Sequence, residues 1–469
     1  MKRKFLVVAL GATLFGLLPA APALAQDVSE AAVVQATLDN IWVFIAGILV
    51  FLMQAGFGLV EAGLTRAKNV ANIMAKNMAD MCVGAIAFWA VGYGIAFGSD
   101  AKIMGTDAFF LSGFGAGDFD GLYTGYTPFF FQVVFAAAAV TIASGAMAGR
   151  TKITGYLIFS AVMTAFIYPM VVHSFWGGGI LNDIGVGDAL FSDFAGSTIV
   201  HSAGGWAALM GAYFLGPRIG KYDENGNARA IPGHNIAFTV IGVFILWFGW
   251  FGFNAGSELA ADSVVVRAGV TTMLSAAAGG ITAAAVMWMK GGFLDVAMTA
   301  NGILAGLVSI TAGTAALTPA GAVLTGAIGG VIVVFSVLFF DRIRIDDPVG
   351  AISVHGVVGV WGTLAIGLFA KYDDAFLGRE DAGLLYGGGI SQLVTQLIGV
   401  LIVAAWVIVT SGILFAVLKS AGLLRASVEE ETAGLDITEH GSAGYGIDQS
   451  FAGSGVSAGG SISLTERQR

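Results

Sequence analysis

The chain of 469 residues is 57% hydrophobic and 11% charged, with 69 glycines, 8 prolines and a net charge of −9. Soluble domains carry about a quarter of their residues as charged side chains, so this composition excludes an ordinary water-soluble globule and makes the bilayer the main solvent. The negative charge argues against nucleic acid as a partner, and the single cysteine excludes an internal disulfide or a thiolate metal cluster.

In chain order, residues 1–25 have the pattern of a secretory signal peptide. Lys2, Arg3 and Lys4 form a basic end, Phe5 to Leu18 an apolar stretch, and Ala23-Leu24-Ala25 a small-x-small cleavage site before Gln26. The mature N-terminus is therefore expected outside the cytoplasm. A membrane span needs about 20 mostly apolar residues. Eleven segments meet this: 40–62, 77–98, 127–149, 153–174, 196–216, 234–255, 268–289, 292–312, 320–340, 350–370 and 388–419. The fold expected is an all-α membrane protein. Cys82 falls in the second span and reads as a small buried core residue.

Charge supports this count. With the N-terminus outside, the odd-numbered loops face the cytoplasm, and they carry Arg66, Lys68, Arg150, Lys152, Arg218, Lys221, Arg229, Lys290, Arg342 and Arg344. The outside loops hold only Lys102, Arg267, Lys371 and Arg379, a bias that follows the positive-inside rule. Acidic residues collect outside instead, among them Asp100, Asp107, Asp118, Asp120, Asp183, Asp188, Asp373 and Asp374, which gives solubility and a weak attraction for cations. Residues 26–425 form the expected membrane domain. Residues 426–469, rich in Gly, Ser, Glu and Ala, form a cytoplasmic tail whose last stretch from Ser450 has the composition of a disordered segment.

Two segments of the chain match one another. Asp193, Gly196, Val200, His201 and Gly205 open the fifth span, and Asp347, Gly350, Val354, His355 and Gly359 open the tenth with identical spacing. An Asp before a helix caps it and suits its positive end. Eight residues at about 1.5 Å each place each His about 12 Å below its cap, near the middle of a hydrocarbon core about 30 Å thick. The first segment enters from outside and the second from the cytoplasm, five spans apart. Spans 1–5 and 6–10 thus read as an inverted repeat, a class that places its substrate path at the repeat interface near the midplane. Ionisable groups at this depth are costly and mark pathways, and imidazole both donates and accepts. Two His without nearby carboxylates or Cys leave a metal under-coordinated, so neither a metal nor a cofactor is expected.

Three runs are rich in aromatics: Phe129 to Phe135, His173 to Gly179, and Trp250 to Ser257. Each lies toward an outer end of a span, where an interfacial belt is common. Aromatic faces also attract cations when desolvated.

These motifs, with Ala62 to Asn69, Trp176-Gly-Gly-Gly179 and Asp346-Asp347-Pro348 to His355-Gly356, closely resemble those of the ammonium transporter, methylammonium permease and Rhesus family over about residues 38–446. The resemblance implies that Phe131, Trp176 and Ser257 form an external vestibule recruiting ammonium by cation–π contact and a hydroxyl, supported by the buried carboxylate of Asp193. It implies that Phe135 and Phe253 close the pore below, and that His201 and His355 line a hydrophobic conduit beside Trp250. Ammonium, methylammonium and ammonia are the implied substrates, and a homotrimer with one pore per subunit the implied assembly. Gly434, Leu435, Asp436, His440 and Tyr445 resemble the family's cytoplasmic regulatory tail. That tail couples subunits and accompanies control by nitrogen-regulatory proteins of the PII class.

Three positions depart from common family patterns. Gly149 stands before Arg150 where many relatives have Glu, Gly350 where some have a second Asp, and Glu61 where some have an aromatic. None is expected to touch the pore. The location implied is the bacterial inner membrane. An alternative reading is an ammonium sensor signalling through its tail, although no output domain follows residue 446. Carbon dioxide as the conducted species fits the cation-recruiting Trp176 and Ser257 less well. No nucleophile–base pair or three-ligand metal set suggests an enzyme.

Overall fold

A computed structural model describes residues 30–99, 101–114, 119–120, 123–371 and 382–446. The expected signal peptide and the stretch from Ser450 lie outside the described residues. The chain is mostly helical. Among the described residues nine helices are long and apolar enough to cross a membrane: Glu30–Leu64, Ala67–Phe97, Tyr126–Met147, Ile153–Asn182, Ile236–Ala255, Ser263–Gly291, Pro319–Arg342, Ile352–Phe369 and Ser391–Ser420. The shorter apolar helix Val296–Thr311 and the consecutive segments Ser197–Ser202 and Ala203–Leu215 occupy the two remaining predicted positions.

The structure departs from the expected pattern in several places. The first helix begins at Glu30, ten residues before the apolar stretch. Ala and Gln favour helix there, and Asp39, buried, accepts from Gln35 at 2.8 Å and from the Ala261 amide at 2.7 Å. Among the described residues two antiparallel strand pairs interrupt the all-α pattern, Phe119–Asp120 with Tyr123–Thr124 and Gly185–Val186 with Ala189–Leu190. Cys82 is exposed, contrary to its expected place in the core. It shares a helix face with the exposed Met78, Ile86 and Trp89. In lipid an outward face is as apolar as an inward one, so hydrophobicity alone does not tell the two apart.

The centre of the bundle is built from the two matching segments. Asp193 Oδ1 accepts the amides of Gly196 and Ser197 at 2.8 and 2.9 Å, and Oδ2 those of Thr198 and Ile199 at 2.8 and 2.9 Å. One carboxylate thus satisfies four of the free donors at a helix start. Asp347 repeats this in shorter form, Oδ1 accepting Gly350 N at 3.0 Å and Oδ2 Ile352 N at 2.7 Å. Gly196 and Gly350 both have positive φ, +108° and +82°, a conformation that glycine adopts without steric cost. This explains Gly350 where a second Asp would be strained. Both segments then begin with wide, π-type turns, Ser197–Ser202 and Ile352–Val357, rather than the regular helix expected.

The two segments cross through glycine. A Cβ on Gly205 would lie 2.1 Å from Gly356 N, and one on Gly359 would lie 2.5 Å from Ser197 O and from Ser202 Oγ. Thr198 Oγ1 and Thr363 Oγ1 are 2.6 Å apart, and Ser202 Oγ donates to Gly356 O at 3.2 Å. Early residues of one segment touch late residues of the other, as in helices running in opposite directions.

At the far end of the bundle Arg218 pairs with Asp346, Nε to Oδ2 at 2.8 Å and Nη2 to Oδ1 at 2.9 Å, with the Arg218 amide also on Oδ2 at 2.8 Å. Arg150 binds the carbonyls of Gly216, Ala148 and Asp346 at 3.0, 3.0 and 2.8 Å. Gly149, which precedes it, has φ +77°. Burial alone would raise the Asp346 carboxyl, but the hydrogen bonds from Arg218 and the charges of Arg150 and Arg218 hold it below the usual carboxylate range.

Two predictions follow from this centre and its base. Gly205→Val is expected to destabilise the protein by about 1–3 kcal/mol through overpacking, read as a lowered Tm in detergent. Gly446→Val, with open space around it, is expected to leave Tm unchanged. Equal melting of the two variants would contradict the crossing. Because the Asp346 pKa is depressed on folding, its contribution is complete above the unfolded value of about 4 and is lost only as pH falls through the folded value. Asp346→Asn should therefore cost about 3 kcal/mol at both pH 7 and pH 5, and a deficit that vanishes by pH 5 would argue against the pairing.

Candidate functional site

The aromatic runs and the histidines come together as one column. At one end Trp176, half-buried, donates from Nε1 to Asp193 O at 3.0 Å. The Asp193 side chain, fully buried, is spent on its four amides, and Trp176 meets only its backbone carbonyl. Phe131 lies 4.6 Å from Phe135 between ring centroids, and Phe135 meets Trp176 edge-on at 6.2 Å. Ser257 Oγ donates to Phe253 O at 2.8 Å, which leaves its lone pairs free to accept from a small donor.

Next in the column Phe135 and Phe253 stack at 4.1 Å and 27°, both rings fully buried. Phe253 is 5.2 Å from the His201 ring, and Trp250 stacks on His201 at 4.9 Å and 15°. Trp250 is held by its Nε1, which donates to Thr311 Oγ1 at 3.0 Å. It is therefore deeper than an interfacial belt residue. His201 Nδ1 and His355 Nδ1 stand 3.2 Å apart with their rings stacked at 5.3 Å. A hydrogen bond between two like nitrogens requires opposite tautomers. The ring that donates from Nδ1 has a bare Nε2, and the ring that accepts at Nδ1 carries its proton on Nε2. The pair thus offers one acceptor and one donor to its surroundings. His201 Nε2 has no partner although it is buried.

Past His355, beside Phe57 at 6.1 Å, lies a small cavity of about 20 Å³ lined by Phe57, Glu61, Thr141, Asn301, Val349 and His355 among others. Glu61 was expected to lie away from the pore, and the structure instead places it on this wall. It belongs to a buried polar group that sequence reasoning missed, with Lys76 and Asp80. The signal was present, since Glu61 and Asp80 are charges inside predicted spans.

The tail residues do not join the column. They dock on the opposite end of the second helix. Gly434 has φ +108°, and a Cβ there would meet Lys68 O at 2.6 Å. Leu435 N donates to Asn69 Oδ1 at 3.0 Å, and Asp436 accepts Asn72 N at 2.9 Å and Gly444 N at 3.2 Å. Asn72 Nδ2 lies 3.1 Å from His440 Nε2, and Tyr445 OH lies 2.5 Å from His234 Nε2. Lys68 donates to the carbonyls of Glu431 and Thr432 at 2.7 and 2.5 Å. Arg425 and Glu431 pair at 2.8 Å, and Glu431 also accepts Ile219 N at 2.7 Å. This part of the tail is a folded clasp with two short helices, Val428–Ala433 and Leu435–His440.

Comparison with known proteins places the chain in a family. The family model described as Ammonium Transporter Family matches residues 41–445. The chain is 47% identical over 419 residues to the ammonium transporter Amt2 of Archaeoglobus fulgidus, covering 87% of this chain and 88% of that protein. It is 36% identical over 449 residues to ammonium transporter 1 member 3 of Solanum lycopersicum, covering 91% and 96%. Among solved structures, one titled Sensor Amt Protein matches with a TM-score of 0.81 at 37% identity, covering 87% of this chain and 99% of that one. Mep2 of Candida albicans matches at 0.76 and 29%, covering 84% and 87%. The chain is a multi-pass membrane protein and belongs to the ammonium transporter family.

Proposed function

We propose that this protein recruits ammonium at Phe131, Trp176 and Ser257, strips a proton from it, and conducts ammonia past His201 and His355. The observation that carries this reading is the 3.2 Å contact of the two imidazoles directly beneath the stacked Phe135–Phe253 pair. Ammonium is a small cation with four N–H donors. An aromatic vestibule attracts the charge, and the Ser257 hydroxyl accepts one donor. The phenyl pair then presents a constriction in which a full charge is poorly solvated, so the neutral species crosses more readily. Beyond it Trp250 and the two histidines replace the hydrogen bonds that ammonia loses on leaving water.

In this reading the chain spans a bacterial inner membrane eleven times as an inverted five-plus-five repeat, with the N-terminus outside and the C-terminus inside. The aromatic vestibule faces outward, and Asp193 holds it in place. The protein assembles as a homotrimer with one path in each subunit. The clasp of Gly434, Leu435, Asp436, His440 and Tyr445 lies at the cytoplasmic surface, where it would meet a PII-class regulator. A second reading, an ammonium sensor acting through the tail, is favoured by the likeness to the structure titled Sensor Amt Protein and by the contacts of the tail with the loop after the first helix.

Uptake of labelled methylammonium into cells tests the main reading. Phe253→Ala and His201→Ala are each expected to change the rate by about tenfold or more, equivalent to about 1.4 kcal/mol. Wild-type rates in both variants would refute it. Flux through the purified protein in liposomes separates conduction from sensing, since a pure sensor passes no label.

A further inference from the structure

The cavity beyond His355 holds a carboxylate to which the column gives no task. Glu61 is 2% exposed and lines the cavity together with His355, Thr141 and Asn301. Its Oε2 accepts Ser144 Oγ at 2.7 Å, and its Oε1 has no hydrogen-bond partner. The neighbouring Asn77 amide donates to Ile73 O at 3.0 Å and also faces the Glu61 carboxyl. Lys76 donates to Ser144 O at 3.0 Å and stands 5.0 Å from the centroid of the Tyr156 ring. Asp80 accepts Tyr156 OH at 2.7 Å and Thr141 Oγ1 at 3.2 Å, and its other oxygen is also without a partner. One lysine therefore faces two carboxyl groups and balances at most one. The remaining carboxyl is either a neutral acid or a charge that awaits a cation. Of the two, Glu61 is on the cavity wall. An unpartnered carboxyl inside a membrane protein is expensive and is retained where it serves a path.

We propose that Glu61 is the inner proton-exchange group of the passage. This rests on the pore reading above and adds the route of the proton. At the outer mouth an N–H bond of ammonium breaks and its proton enters the His201–His355 pair. His355 passes a proton across the cavity, whose volume of about 20 Å³ admits about one bridging water, to the Glu61 carboxylate, forming an O–H bond. Ammonia arriving past His355 takes that proton on its lone pair, so that the O–H bond breaks and an N–H bond forms. Ammonium leaves toward the cytoplasm, and Glu61 returns to the carboxylate. The Thr141 hydroxyl and the Asn301 amide stand on the same wall to orient the cation. The cycle closes without another reactant, and each turn moves one ammonium and one positive charge.

The test uses the full chain in liposomes, with labelled methylammonium uptake and transported charge measured on the same preparation. Wild-type protein should move about one charge per methylammonium. Glu61→Gln, which keeps the shape and removes the exchangeable proton, should retain labelled uptake within about twofold and lower the charge per substrate by about tenfold or more. An unchanged ratio in Glu61→Gln, or a wild-type protein that takes up label without charge, would overturn the proposal and leave the pore reading standing. If Glu61→Gln loses both signals, Glu61→Asp decides. Regained charge movement with the shorter carboxylate supports proton exchange, and loss of both signals again assigns Glu61 to packing and overturns it. Failure of the pore reading is visible separately, as labelled uptake indifferent to replacement of His201 or Phe253.

Discussion

The close approach of two oppositely running helices at Gly205, Gly356 and Gly359 is the constraint on which the centre of this protein depends. Lipid offers no hydrophobic force to press helices together, so contact is decided by packing and by the small residues that permit it. With no side chain at these positions, the backbones come near enough for His201 and His355 to touch through Nδ1 at 3.2 Å. The wide turns Ser197–Ser202 and Ile352–Val357 set the direction in which each imidazole leaves its helix. Their cost falls on backbone donors, and the carboxylates of Asp193 and Asp347 satisfy those donors from just outside each turn.

The rest of the polar load is arranged around this centre. The outer part of the column offers aromatic faces and one hydroxyl, which suit a cation but form no permanent ion pair. The middle offers only imidazole and indole groups among hydrocarbon. The inner cavity has a carboxyl with an unused oxygen. In the proposed passage, a species held weakly at each point is released at the next. The charged anchors are kept apart from it. Arg218 with Asp346 and Arg425 with Glu431 tie loops and tail together at the far end.

Much of this was legible in the sequence. The spans followed from apolar run length, and most of their boundaries fell within about five residues of those observed, but the first and second helices start ten residues early, at Glu30 and Ala67. The histidine pair was legible because Asp, Gly, Val, His and Gly recur at identical spacing in two distant segments. The aromatic stack came through the family resemblance. What stayed hidden is what arises between elements. Glu61 and Ser144 meet from different helices across 83 positions of sequence, and no local pattern shows that one oxygen remains unpaired beside a cavity. The outward turn of Cys82 was equally hidden, because in a membrane both faces of a helix are apolar. The tail read as a regulatory segment through the family resemblance, and its partners on Asn69, Asn72 and His234 show how it folds onto the bundle.

The central claim is that a single narrow path runs alongside the hydrogen-bonded imidazoles of His201 and His355. A high-resolution density map of the protein prepared in an ammonium salt tests it most directly. The account predicts discrete peaks strung from the Trp176 and Ser257 mouth, past Phe253, along the histidine pair and into the cavity at Glu61. Continuous side-chain packing along that line, with ammonium-dependent peaks elsewhere, would contradict it.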